Sequence, residues 1–223
     1  MTDSPAPHRS GAPSDRVRVR RKPDRGHYDR ETIEGILDEG FVAFVGYVVD
    51  GQPYVIPTNY WRDGDHVYWH GSTASRMIRT IASGAPICLT VAHLDSIILA
   101  RSGFNSSADY RSVVVVGVGE VVPDEEKAAA LDAFVDALAP GRSVEVRPMT
   151  EKELKQTTVV RLSLAEASAK VRNAGLGDDP GDEMWPVWAG TIPAQLTLGE
   201  PVPAADLMPG IELPHNVREL VER

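Results

Sequence analysis

Cysteine is almost missing from this chain. Cys88 stands alone among 223 residues, so neither an intrachain disulfide nor a four-cysteine zinc site can form, and a cytoplasmic setting is expected. Apolar runs are short as well: none approaches the ~20 residues that cross a bilayer, and the first residues lack the apolar stretch of a secretion signal. No membrane association is expected. Positive charge is outweighed, 23 Lys and Arg against 32 Asp and Glu for a formal net charge of −9, which argues against nucleic acid as a partner. Also missing are an internal repeat, a nucleophile elbow, an ordered Ser/His/Asp set and a paired-carboxylate pattern, so no chemistry carried by a protein nucleophile is read here.

What is present divides unevenly. Residues 1–25, MTDSPAPHRSGAPSDRVRVRRKPDR, mix Pro, Ser, Gly and Arg with little to bury and are expected to form a disordered arm. Its RVRVRRK portion reads either as a contact for an acidic partner or as a solvated tail. Residues 26–223 are expected to make one domain with a C-terminal extension, since about 220 residues suit a single core. DRETIEGILDEG predicts a helix capped by Asp29, with Ile33, Ile36 and Leu37 on one face and Gly40 at its exit. FVAFVGYVV, PYVIPTNYW and HVYWH, separated by Asp50-Gly51 and Asp63-Gly64, predict a three-stranded antiparallel meander. APICLTVAHL and SIILARSG predict two more strands, and YRSVVVVGVGEVV a long one bent at Gly117 and Gly119.

A helix follows over PDEEKAAALDAFVDALAPG, then a helical turn at TEKELKQ and a returning strand at TTVVRLSL. From about Gly175 the chain is rich in Pro and Gly, with MWPVWAGTIP its one dense apolar piece. Strands with single inserted helices predict an α+β fold, mainly β, around a closed or partly closed antiparallel barrel, and exclude a doubly wound nucleotide-binding sheet. GVGEVV lacks the third glycine of a dinucleotide fingerprint and reads as a barrel kink.

The stretch YWHGSTASRMIRTIASG, residues 68–84, passes from strand through small hydroxyl residues into a helix. A helix start exposes backbone N–H groups and a partial positive charge, which suits an anion. Ser72, Thr73 and Ser75 add hydroxyl donors, Arg76 can make a two-pronged contact with phosphate oxygens, and Arg79 lies one turn on. The same spacing also describes an ordinary capped helix with solvated arginines, and both readings stay open.

With YVIPTNYWRDGDHVYWHGSTASRMIRTI, APICLTV and YRSVVVVGVGEVV in this order, the chain resembles the pyridoxamine 5′-phosphate oxidase-like flavoproteins, in particular their nitroimidazole-reductase-type branch. The resemblance covers roughly residues 28–164, and PVWAG near Trp188 is similar to a C-terminal motif of some relatives. It implies a split β-barrel, usually a homodimer, with FMN in the groove between subunits. It further implies that Val55, Ile56, Pro57 and Thr58 run along the isoalloxazine ring. His70 and Ser72 would stand beside the phosphate with Ser75 and Arg76, and Tyr110 and Ser112 on the strand that closes the groove. Trp188 would cover the flavin if the C-terminal segment returns to it. Met77 follows Arg76 where the oxidases often carry a second basic residue, which implies either a lower phosphate affinity or compensation by Arg79; their C-terminal arginine and histidine motif is absent, so oxidation of pyridoxamine phosphate itself is not expected.

The expected activity is an FMN-dependent oxidoreductase reducing a small planar substrate with electrons from NAD(P)H, the cofactor doing the chemistry and the protein placing substrate and excluding water. Catalytic side chains are not assigned. Two alternatives share the barrel: a non-catalytic haem or flavin binder with His70 or His93 as axial ligand, and a reductase using a deazaflavin, whose acidic tail the chain's own acidity disfavours. His66 and His70 lack a third zinc ligand, and no metal site is expected. Cys88 reads as an inert core thiol, and Trp61, Trp69, Trp185 and Trp188 as packing groups. Substrate choice is expected to lie with the RSGFNSSADYR loop and the C-terminal segment.

Overall fold

Two antiparallel sheets joined at three corners enclose the core of the computed structural model, which describes residues 11–222. In chain order its elements are β1 (Gly26–His27), α1 (Arg30–Asp38), β2 (Val42–Val49), β3 (Gln52–Asn59), β4 (Trp61–Asp63), β5 (His66–Ser72), α2 (Arg76–Ala82), β6 (Pro86–Leu99), β7 (Ser107–Val118) and β8 (Glu120–Val121). There follow α3 (Asp124–Leu138), α4 (Glu151–Gln156), β9 (Thr157–Ser163), β10 (Ala167–Arg172), β11 (Gly190–Pro193) and α5 (His215–Glu222). The larger sheet runs β1-β10-β7-β6-β2-β3 with β11 on β6, and the smaller runs β4-β5-β9-β8.

Local chemistry explains the elements. The Asp29 carboxylate accepts the Thr32 amide at 2.9 Å and starts α1, whose Ile33, Ile36 and Leu37 are buried. Asp50 and Gly51 both take positive φ, 51° and 77°, as a tight two-residue hairpin between β2 and β3 requires. Alternation then decides which side chains go inward. Ala43, Val45 and Tyr47 of β2 face Leu89 and Val91 of β6 and Val113 and Val115 of β7 in the core, together with Trp69 and Ile81. A second cluster of Trp61, Val122, Leu131 and Val159 lies beneath α3.

The corners need special residues. At the turn from β3 to β4, buried Tyr60 donates its phenol to the Leu37 carbonyl at 2.5 Å. Gly40 makes room for it, since a Cβ there would lie 2.7 Å from the hydroxyl. At Gly119, between β7 and β8, a Cβ would lie 2.7 Å from Ile81 Cγ2 and 3.0 Å from Val160 Cγ1. The 3₁₀ turn Leu164–Glu166 makes the third corner. Because, among the described residues, β3 pairs only with β2, and β4 only with β5, the barrel stays split along that side.

Four sequence expectations change. The three-stranded meander is two hairpins in different sheets, because PYVIPTNYW breaks at Tyr60. APICLTVAHL and SIILARSG are one strand, β6, with a register shift between Leu94 and Ser96. Below that shift Val91 is buried and above it Ile98 is, so an apparent break is a bulge that turns the strand over. Strands β10 and β11 and helix α5 had no sequence signal of the kind used for the others. Finally, residues 11–25 of the expected disordered arm lie against the domain: Val17 is buried, and the Val19 amide donates to the Tyr28 phenol at 2.8 Å. Two valines alternating with arginines are enough to dock that stretch, whereas residues 1–10 fall outside the described residues. No helix among the described residues is long and apolar enough to cross a membrane.

Candidate functional site

The split leaves a cleft of about 800 Å³ between the free edge of β3 and the end of β5. From β3 come Pro57, Thr58 and Asn59, from β5 His70, Gly71 and Ser72, and from the following turn Thr73 and Ala74; Gln156 and Thr157 complete the wall from the α4–β9 junction. Side chains of Tyr54, Ile56 and Thr58 share the inner face of β3, opposite Tyr47, Val45 and Ala43. Without a strand beyond β3, Ile56 is 38% exposed although its β2 neighbour Val45 is fully buried. The outer face carries Val55 and Pro57, cross-strand from Gly46 and Phe44.

His70 is the most distinctive group in this cleft. Its ring packs edge-on against Phe134 at 4.7 Å and lies 6.1 Å from Trp61. Nδ1 is buried without a hydrogen-bond partner, and Nε2 makes no hydrogen bond among the described residues. Desolvation holds the ring's pKa below its usual 6.5, so the imidazole is neutral at pH 7. His93, the other ring considered from the sequence, points elsewhere: its Nε2 lies 2.9 Å from the Ile36 carbonyl beneath α1.

The turn into α2 differs from the anion cradle expected of it. The Thr73 amide donates to Gln156 O at 3.0 Å, the Ala74 amide to Ser72 Oγ at 3.2 Å and the Ser75 amide to Ser72 O at 2.9 Å. Those three donors are therefore engaged. Ser75 is the N-cap of α2 but makes no side-chain capping bond, which leaves the first-turn amides from Arg76 onward without a cap. Arg76 does not line the cleft; its guanidinium stacks on the Tyr54 ring at 3.9 Å, and a hydrogen bond that it donates to the Tyr47 hydroxyl oxygen helps to hold its pKa above the ordinary value. Met77, Ile78 and Ile81 of the same helix are buried.

Of the residues the sequence singled out, Pro57, Thr58, His70 and Ser72 meet in the cleft. Val55 and Ile56 precede Pro57 on β3, and Ser75 and Arg76 follow Ala74 into α2, but none of these four lines the cleft. Tyr110 and Ser112 are elsewhere, on the outer face of the larger sheet opposite Leu94 and Ala92. Trp188 is 66% exposed beside Gly190, at the foot of β11, away from the cleft of its own chain. Cys88 also faces outward, half-buried, with Sγ 3.8 Å from Thr90 Oγ1. Asn59, Gln156 and Thr157 were missed, the latter two because α4 and β9 reach the cleft only through the β5–β9 ladder, which pairs Ser72 with Thr157.

A split antiparallel barrel with a cofactor-sized cleft at its open seam defines the class. The profile of the family described as pyridoxamine 5′-phosphate oxidase matches residues 29–171, and the chain belongs to that family. Among solved structures, the flavocytochrome Anf3 from Azotobacter vinelandii is 41% identical, covering 94% of this chain and 98% of its own, with a TM-score of 0.89. A FAD and heme binding protein from Mycobacterium smegmatis is 37% identical over 88% of this chain and 97% of its own, with a TM-score of 0.85. A candidate 5-nitroimidazole antibiotic resistance protein from Bacteroides thetaiotaomicron shares the fold, at 22% identity over 64% of this chain and 84% of its own and a TM-score of 0.54. No curated protein sequence matches.

Proposed function

We propose that this protein is a flavin-dependent oxidoreductase that also carries a haem, working as a homodimer whose second copy closes the cleft. His70 carries the reading: a neutral imidazole with no hydrogen-bond partner on either nitrogen among the described residues, in the wall of an open cleft, is placed to bind a metal ion. The relatives described as a flavocytochrome and as a FAD and heme binding protein support it. A flavin supplies two-electron chemistry at its ring and a haem one-electron steps at its iron.

The chain's own groups fit both. The unpaired edge of β3 offers backbone donors and acceptors to a ring's polar rim, and Thr58, Ser72 and Thr73 offer hydroxyls. Arg76, two residues past Ala74 of the cleft wall, would supply the cation for an anionic end, beside the uncapped first turn of α2. The aromatic wall of Trp61 and Phe134 behind His70 excludes water from its inner nitrogen. NAD(P)H as donor and a small planar acceptor would enter by the open side of the cleft, between Pro57–Asn59 of β3 and His70–Ser72 of β5. FMN or FAD satisfies these contacts, since the ring and first phosphate are common to both.

The visible spectrum of the purified protein, with mass spectrometry of the released cofactors, tests this reading. Flavin and Soret bands together are expected, and His70→Ala should lose the Soret band while keeping the flavin. A colourless protein that takes up neither group on titration overturns the reading. A Soret band that survives His70→Ala unchanged overturns the role of His70.

A further inference from the structure

The C-terminal segment changes character at residue 194. Up to that point it is tied to the body. Asp109 accepts the Ala174 and Gly175 amides, each at 3.1 Å, and Asp178 accepts the Arg101 amide at 2.9 Å. Strand β11 pairs with β6, and the Ala194 amide reaches Asp95 O at 2.9 Å. Beyond it, every residue from 195 to 213 is exposed, and among the described residues none hydrogen-bonds outside residues 195–222.

Composition sets this stretch, QLTLGEPVPAADLMPGIEL, apart from a solvated linker. It holds no Lys, Arg or Ser, and it exposes Leu196, Leu198, Val202, Leu207, Met208 and Ile211. Disordered tails are poor in such residues, and contiguous exposed apolar surface marks an interface. Pro201, Pro203 and Pro209 restrict its backbone, so little freedom remains to be lost on docking.

The same chain offers the matching surface. Val42, Phe44, Val48, Leu94 and Val118 lie uncovered on the outer face of the larger sheet, which is continuous with the cleft through Pro57, the cross-strand neighbour of Phe44. Charge narrows the choice further. The segment carries Glu200, Asp206 and Glu212 and no cation, and most of so acidic a chain would repel it. The exception is the basic stretch at residues 16–25, where Arg16, Arg21, Lys22 and Arg25 have no ion-pair partner among the described residues. Extended at ~3.1 Å per residue, residues 195–213 reach about 60 Å, against roughly 40 Å for the width of one such domain.

We propose that residues 195–213 are an arm that clasps a second copy of this chain. Its apolar side chains pack on that copy's exposed sheet face, and its three acids lie against that copy's basic residues 16–25. A reciprocal exchange satisfies both uncovered surfaces in one closed two-fold contact, which a foreign partner would not. This inference rests on the homodimer proposed above.

Sedimentation equilibrium of the cofactor-loaded protein over a concentration series tests it with three proteins: the full chain, a chain ending at residue 194, and full-length Leu196→Asp/Leu198→Asp. The buried core lies entirely before residue 170, so the shortened chain keeps it. A dimer is expected for the full chain, with a dissociation constant raised roughly tenfold or more in both variants. Glu200→Lys/Asp206→Lys should also weaken the dimer, and Arg21→Glu/Lys22→Glu added to it should restore part of the loss. A dimer of unchanged affinity in both arm variants overturns the arm and leaves the dimer standing. A monomeric full chain overturns both.

Discussion

Arg76 keeps its guanidinium over the Tyr54 ring, two residues along the chain from Ala74 in the cleft wall, and it is the cation proposed above for the flavin's anionic end. Arg76→Ala should therefore weaken flavin binding roughly tenfold or more, the loss of one charged hydrogen bond, and fluorescence titration of the cofactor-free protein measures it. Unchanged affinity would move the anion's partner elsewhere. His70 makes a different prediction. Burial lowers its pKa from 6.5, so the unfolded chain binds this proton more readily than the folded one. The resulting stability is present above the unfolded value and falls as pH drops below about 6.5 toward the lower folded value. His70→Gln should flatten that part of the melting-temperature profile in the cofactor-free protein. Neither residue's environment was legible in the sequence: Tyr54 sits 22 positions from Arg76, and Phe134 reaches His70 from a helix in another part of the chain.

Helices and hairpins announce themselves because their causes are local. The Asp29 cap, the positive-φ pair Asp50-Gly51 and the acidic first turn of α3 are all decided within a few residues. Corners are only half local. Gly117 and Gly119 mark a bend in the sequence, but the neighbours that forbid a side chain, Leu162, Ile81 and Val160, come from α2 and β9. Gly119→Ala should accordingly destabilise the fold by about 1–3 kcal/mol through overpacking, read as a lower midpoint in urea denaturation. A midpoint equal to that of the wild type would show that α2 can shift away at no cost. The bulge in β6 looks like the boundary of two strands in the sequence for the same reason, since only pairing with β7 across the shift between Leu94 and Ser96 shows that one strand continues.

At the scale of the molecule, one sheet face is too apolar to be left to water. Phe44 is 46% exposed, on the face of β2 opposite to buried Ala43 and Val45, so Phe44→Glu should leave the monomer folded. It should also shift sedimentation toward monomer and lower the flavin-to-protein ratio, because Phe44 adjoins Pro57 in the cleft wall. A Phe44→Glu protein that stays dimeric with full flavin would mean that copies meet elsewhere. Sequence alone determined the alternation that sorts β2 and β6 into two faces, the turn chemistry of the hairpins, the split-barrel family and the position of the β5–α2 turn. Each depends on residues close together along the chain or on short patterns in order. Tertiary structure decided where the barrel opens, which amides of that turn are already spent, and that among the described residues His70 lacks a hydrogen-bond partner while His93 has one. Those outcomes follow from which strands pair and which helices pack behind them, and hydrogen bonds between residues far apart in sequence leave no periodic trace in either segment.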